Sequence, residues 1–321
     1  MLHWEAKMWD RLIECVPNIS EGRRRDVVEK VAYVADGPGR KVIDLSMDPD
    51  HNRSVITIVG QPEGLLEGIL ALAKEAAALI DLNTHRGEHP RMGAVDVIPF
   101  IPVRGVTMAD CIDLSRRVGE RIAKELSIPV YLYEESATSD ARRNLATIRK
   151  GEFEGFAEKI TLPQWRPDFG QAKIHPTAGV VAVGAREFLI AYNINLATAD
   201  LSVAKEIARA VRFSSGGLRY VKALGFPLAE KGIVQVSMNL TNFKKTPILR
   251  VFELVKREAE RRGVMVIGSE IVGTVPRAAL YDVARMALQV RDFSHDLILE
   301  ERIDDARIDD ARIEDASGED R

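Results

Sequence analysis

Residues 94–135 read AVDVIPFIPVRGVTMADCIDLSRRVGERIAKELSIPVYLYEE. An apolar run over 94–103 breaks at Gly105. Thr107 follows, with Asp110 three residues on, the spacing of a reciprocal helix cap. That pattern predicts a helix over 107–126, and 129–135 is a second apolar run. The stretch is strand, capped helix, strand. Pro99 and Pro102 remove backbone donors, so the first strand suits a sheet edge or a strand end better than a sheet centre.

The same alternation extends in both directions. Residues 11–19, RLIECVPNI, read as a strand ending near Pro17, and 24–36 as a helix closed by Gly37-Pro38-Gly39. Strands over 40–47 and 53–60 are joined by the turn-rich DPDHN. Pro62 opens a helix whose Leu65, Leu66, Ile69, Leu72 and Leu79 share one face. Short helices are expected within 138–160. After residues 162–179 the pattern restarts: strands at 179–185 and 188–196, a helix at 198–212, strands at 218–226 and 232–240. A helix at 247–263, a strand at 264–273 and a helix at 276–288 complete it. The order ββαββαβα, after a comparable mix, indicates two α/β lobes. Strands often follow one another without a helix between them, so the sheets are expected to be mixed. Neither DGPGR nor SSGGLR has dinucleotide or phosphate-loop spacing, which argues against a doubly wound nucleotide fold.

Composition narrows the function classes. The 321 residues carry a net charge of −3. Residues 300–321 hold ten acidic and four basic side chains, which leaves the body mildly cationic. That balance suits a small anionic ligand; no basic block interleaved with aromatics argues for nucleic acid. No run reaches the roughly 20 apolar residues of a membrane span, and the first ten residues lack a signal-peptide core. Cys15 and Cys111 form no disulfide framework and fit buried packing in a reducing compartment. The tail repeats RIDDA, RIDDA, RIEDA over 302–316. Isoleucines five apart advance about 140° on a helix and build no apolar stripe, so a solvated, mobile extension is expected.

Polar chemistry concentrates at THRGEHPRMG, residues 84–93. His85 to His89 match an H-x-x-E-H zinc pattern. That pattern needs a helix to stack its ligands, yet Gly87 sits inside it and Pro90 disfavours a helical His89. The segment is read as a loop and no metal site is assigned. The residues alone leave two readings open: loop histidines and arginines that are hydrogen-bonded or solvent-exposed, or a histidine beside Glu88, with Arg86 and Arg91 near, that suits proton transfer on a carboxylate-bearing substrate.

Several segments, in order and at nearly constant spacing from residue 11 to about 292, carry a resemblance: ECVPNISEG, HNRSVITIVGQPEG, GEHPRMGAVDVIPFIPVRGVTMADC, PVYLYEE, WRPDFG and FLIAYNINL. Together they resemble the formiminotransferase domain of the folate-dependent glutamate formimidoyltransferases, in the stand-alone form without a cyclodeaminase. The resemblance implies transfer of a formimino group from N-formimino-L-glutamate to N5 of tetrahydrofolate, a step of histidine degradation and one-carbon metabolism. Formyl transfer from N-formylglutamate and a non-catalytic folate-binding role are the alternatives.

The resemblance maps the catalytic histidine onto His89. It maps the folate segment onto Gly170, Gln171, Ala172, Lys173, Ile174, His175, Pro176, Thr177, Ala178 and Gly179. Asn18, Ser20, Glu21, Asn52 and Arg53 lie in shared motifs as cleft residues. Arg91 and Arg104 are substrate-carboxylate candidates by charge complementarity. An acid that some relatives carry two residues beyond the Asp44 position is Ser46 here, with Asp48 and Asp50 beyond it. The implied fold is α/β of the α+β type: two lobes, each a mixed β-sheet with helices on one face, the second ferredoxin-like, substrates lying between them. The expected divisions are 1–184, 185–299 and a disordered acidic tail, 300–321. Tetrahydrofolate is expected as co-substrate and no metal. Also implied are small-molecule substrates, a homodimer, a separate cyclodeaminase partner, a cytoplasmic location, and neither membrane nor nucleic acid.

Overall fold

Pro17 divides the first apolar run into β1 (Leu12–Cys15) and β2 (Asn18–Ile19). The computed structural model describes residues 10–87, 89–294 and 297–302. The chain separates into two units after Phe188. The first continues with α1 (Arg25–Tyr33), β3 (Arg40–Asp48), β4 (Arg53–Gly60), α2 (Pro62–Leu79), β5 (Val95–Arg104), α3 (Met108–Leu126) and β6 (Val130–Glu134). Short helices α4 (Asp140–Arg143), α5 (Leu145–Arg149) and α6 (Glu152–Lys159) precede β7 (Val181–Ala185).

These strands make one mixed sheet. β3 pairs β4, and β4 pairs β1 and β2, which share the position beside β5; β7 follows β5 and β6 follows β7. Pairing is antiparallel as far as β5, then parallel through β7 to β6. β5 is therefore central in the sheet; its prolines suggested an edge or a strand end, and only Pro102 lies near the end of the strand. The reason is local. Pro99 O accepts the Val16 amide, at 3.2 Å, in the gap between β1 and β2. Pro102 lies opposite Ile13, beside a register shift in the β1–β5 ladder. Each missing donor falls where the ladder is already irregular.

Alternation along the strands sends side chains to two cores. On one face Ile13, Ile56, Ile98, Phe100 and Val183 pack with residues of α1, α2 and α3, among them Val28, Leu65, Ile69, Leu114 and Val118. On the other, Val97, Tyr131, Tyr133 and Ala182 pack with Ile148 and Phe156 of α5 and α6. Helices thus cover both faces at the β6–β7 end, where one covered face was expected. Cys15 and Cys111 are buried, and burial pushes both thiols up, Cys111 to about 12.

The second unit runs β8 (Ile190–Leu196), α7 (Leu201–Val211), β9 (Val221–Leu228), β10 (Ile233–Leu240), α8 (Ile248–Glu260), β11 (Val266–Val272) and α9 (Arg277–Leu288). Its strand order, β11-β8-β10-β9, with a βαββαβ chain path, is ferredoxin-like. All three pairings are antiparallel, so this sheet is not mixed. Each helical crossover returns the chain parallel to the strand it left but two positions over. The gap is filled by a strand antiparallel to both. β7, placed in the second repeat by the sequence pattern, belongs to the first sheet. Residues 299–302 form a helical turn in which Glu301 pairs with Arg277 at 3.1 Å, so the expected tail begins ordered. Its remainder, 303–321, lies outside the described residues.

The cap on α3 is the one the spacing predicts. Asp110 N–H donates to Thr107 Oγ1 at 3.2 Å, and Asp110 Oδ2 accepts from the Thr107 amide at 2.7 Å. Thr107→Ala is expected to lower unfolding free energy by about 1 kcal/mol in urea titration, with native activity unchanged.

Candidate active site

Asn52 ends the β3–β4 turn with a left-handed backbone, φ 48°. Asn tolerates that conformation better than most residues because its short amide bonds locally. Here the amide reaches two other segments. Its Oδ1 accepts the Gly22 amide at 2.9 Å and its Nδ2 donates to Arg86 O at 2.9 Å. The Asn52 carbonyl also accepts from His85 Nε2 at 2.9 Å. One buried residue therefore ties the turn to residue 22 and to the 85–86 loop. Gly87 is required beside it, since a Cβ there would lie 2.4 Å from His51 O.

His85 is a strut. Its Nε2 donates to Asn52, and its Nδ1 accepts from Arg91 Nε at 3.2 Å. Burial, opposed by the Asn52 bond and aided by Arg91, holds the ring below its ordinary pKa. Both nitrogens are in use. Arg91 is likewise engaged: Glu154 grips it at 2.8 and 2.6 Å, and Glu152 at 3.2 Å. The Glu154 bonds hold its guanidinium protonated against burial. Its carboxylate partners are its own chain's, so it is not placed to receive a substrate carboxylate. Arg104 lies at the far end of β5 from Val95, roughly 30 Å along the strand. The structure does not bring it to the loop.

His89 is different. Its Nε2 lies 3.0 Å from Arg53 NH1. A guanidinium only donates, so Nε2 accepts and the proton of the neutral ring sits on Nδ1. Burial, then Arg53, Arg149, His51 and His85, push the ring down to about 2. Arg53 opens β4, directly after Asn52. Arg149 ends α5 and pairs with the buried Asp96 at 2.5 Å. Asp96 also accepts the Met92 amide at 2.8 Å, and burial pushes its carboxyl up against the pull of Arg149. Glu88 lies outside the described residues; among those described, no three His, Cys, Asp or Glu form a metal-ligand group.

The 170–179 segment is strapped to this loop. Leu82 N donates to Thr177 O at 2.9 Å, and Asn83 Nδ2 to Pro176 O at 3.0 Å. Ala94 N donates to Ala178 O and Val180 N to Met92 O. Gly179 takes φ 68°, and a Cβ there would stand 2.2 Å from Met92 O, so only glycine fits. His175 and Gly179 close the tip as a bridge, with His175 Nδ1 accepting the Ala178 amide at 3.0 Å. Gln171, Ala172 and Lys173 are exposed, and Ile174 is half-buried. Gly170 and Ala172 line an open pocket with Thr161, Arg166 and Pro167.

Other motif residues are scaffold. Asp168 of WRPDFG receives Leu132 N, Thr138 Oγ1 and Arg142 NH1, fixing the approach to the pocket. Ser20 Oγ donates to Gly93 O at 2.7 Å. Glu21 takes two backbone amides and Arg24 Nε, which outweigh burial and hold its carboxyl low. Asn18 Nδ2 bonds Val16 O. On β3, Ser46 is exposed opposite Val55. Asp48 bonds the amides of residues 50 and 51 and the His51 ring at 2.7 Å. Sequence reasoning missed Arg149 and Asp96. Asp96 lies within a quoted motif but reads there as part of an apolar strand, Arg149 lies in none, and only the fold brings α5 beside Asp96.

The family model for the formiminotransferase domain, N-terminal subdomain, matches residues 12–186, and that for the formiminotransferase domain matches 191–307. Glutamate formimidoyltransferase from Streptococcus pyogenes is 49% identical over 91% of this chain and 99% of its own length. The enzyme of that name from Thermoplasma acidophilum is 49% identical over 92% of this chain and 98% of its own. Mouse formimidoyltransferase-cyclodeaminase is 45% identical over 85% of this chain and 52% of its own.

The depressed His89 pKa has a stability consequence. Unfolded, the ring binds a proton below its ordinary 6.5; folded, it stays neutral down to about 2. Between those values the unfolded state takes up the extra proton, so stability falls as pH falls. His89→Gln removes that contribution. Urea midpoints taken from about pH 7 to about pH 5 are expected to drop more for the parent than for the variant.

Proposed function

The chain belongs to the formiminotransferase family, and on that premise we propose that it transfers the formimino group of N-formimino-L-glutamate to N5 of tetrahydrofolate, releasing L-glutamate. The attacking N5 lone pair forms a bond to the formimino carbon and gives a tetrahedral centre. That centre collapses as its bond to the glutamate nitrogen breaks. N5 must lose one proton and the departing nitrogen must gain one, so a single group able to hold a proton in transit balances the step.

His89 is that group. The observation that carries the assignment is a neutral ring whose Nε2 holds a lone pair, bonded to Arg53 and not to the chain's own carbonyls or amides. His85, the other imidazole of the loop, has both nitrogens committed to structure. In the reaction Nε2 of His89 accepts the N5 proton and returns it to glutamate's nitrogen. The 170–179 segment is the folate contact; it is bonded to residues 82, 83 and 94 on either side of His89. Gly170 and Ala172 of the segment line an open pocket with Thr161, Arg166 and Pro167. Tetrahydrofolate is a co-substrate, bound and released each turnover. The mouse relative's name couples this activity to a cyclodeaminase, which makes a cyclodeaminase the expected consumer of the folate product.

His89→Ala and His89→Gln are each expected to lower kcat by about 10²- to 10⁴-fold in a formimino-transfer assay followed by absorbance of the folate product. His85→Gln is expected to act chiefly through stability. Near-normal turnover in both His89 variants, with loss in His85→Gln, would contradict the assignment. N-formylglutamate as sole donor is expected to give far slower product formation; equal rates would favour formyl transfer.

A further inference from the structure

A buried guanidinium is costly unless a carboxylate or carbonyls meet its donors. Three arginine Nε atoms are buried without a partner among the described residues: those of Arg53, Arg142 and Arg149. Arg142 is otherwise well met, by Asp168, Gln164 O and Arg166 O. Arg53 and Arg149 share a neighbourhood, since each depresses His89 and Arg149 also depresses Arg53. Arg149 has Asp96 as its ion pair. Arg53 has no ion pair among the described residues; burial lowers its pKa, and Asp48 and Asp96 oppose that only through space. Asp48 is turned to its own turn, its oxygens taken by two amides and the His51 ring.

A planar fork suited to gripping a carboxylate with two parallel bonds instead donates to an uncharged imidazole. That imidazole nitrogen holds the lone pair on which proton transfer depends. Resting on the function proposed above, we propose that Arg53 is the receptor for a carboxylate of the amino-acid donor, and that donor binding draws the guanidinium off Nε2 of His89. The donor thereby uncovers the base that its own reaction requires.

The charge pattern agrees with this arrangement. The groups that face His89 and oppose its protonation are Arg53 on β4, Arg149 on α5, His51 in the β3–β4 turn and His85 in its own loop. A carboxylate on Arg53 cancels the first of these charges and raises the ring's proton affinity at the moment the donor is in place. Folate bound alone leaves the base covered. Transfer is thereby tied to the presence of both reactants.

The test uses full-length protein labelled with ¹⁵N at histidine, with the six imidazoles followed by long-range ¹H–¹⁵N correlation. L-glutamate is one probe and a 5-formyl reduced folate the other; calorimetry confirms that each is bound. At neutral pH, saturating L-glutamate is expected to shift the His89 Nε2 resonance toward that of an unbonded imidazole nitrogen as Arg53 leaves it, and the folate alone to leave it in place. Arg53→Gln is expected to abolish the glutamate-induced shift. It should also raise KM for the donor at least about tenfold while KM for tetrahydrofolate stays within about twofold. Arg53→Lys should restore part of the donor affinity but not the two-pronged grip. Glutamate failing to bind the parent, or binding without moving His89, overturns the proposal. So does a shift produced by the folate alone, or unchanged glutamate affinity in Arg53→Gln. A parent that makes no formimino-folate but still couples glutamate to His89 through Arg53 removes the assigned reaction and leaves the receptor standing.

Discussion

The active loop depends on the three bonds made by Asn52. Its amide holds residue 22 and residue 86, and its carbonyl holds the His85 ring. Because Arg53 follows it directly and opens β4, the same residue sets where a guanidinium emerges beside His89. Hydrogen bonds worth about 1 kcal/mol each in exposed settings matter more when buried, because losing one leaves its partner unpaired. The 170–179 segment completes the frame by backbone pairing on the far side of the loop.

This frame creates an electrostatic setting that favours a neutral base. Two arginines and two other histidines surround His89, and burial adds to their effect. An imidazole in that setting stays neutral near neutral pH and keeps its lone pair. The cost is a base of low intrinsic affinity. In the proposed reaction a proton taken from N5 need not rest there long, because glutamate's departing nitrogen receives it. A general base works best with a pKa near the operating pH, so the rise assigned to a donor carboxylate on Arg53 is part of the same proposal.

Much of this was legible in the residues. Thr107 and Asp110 cap α3 as their spacing requires, and Pro90 and Gly87 rightly argued for a loop around His89. The prolines of β5 misled because sequence shows a missing donor but not the broken ladder that tolerates it. The second sheet's pairing was invisible for a related reason: strand order, not local pattern, decides whether neighbours run parallel. Arg91 looked like a substrate anchor by charge alone. Its engagement by Glu152 and Glu154, some 60 positions along, is a tertiary fact. Arg53 was visible only as a member of a shared motif, and what sets it apart is the absence of an ion pair among the described residues, which no sequence displays.

All of these strands meet in one distance, from His89 Nε2 to N5 of a bound reduced folate. A crystal structure of the full-length protein with a reduced folate and L-glutamate measures it. The expected separation is within hydrogen-bond reach, about 3 Å or through one water, with the pterin against residues 170–179. A pterin seated elsewhere, with N5 out of reach of that imidazole, would contradict it.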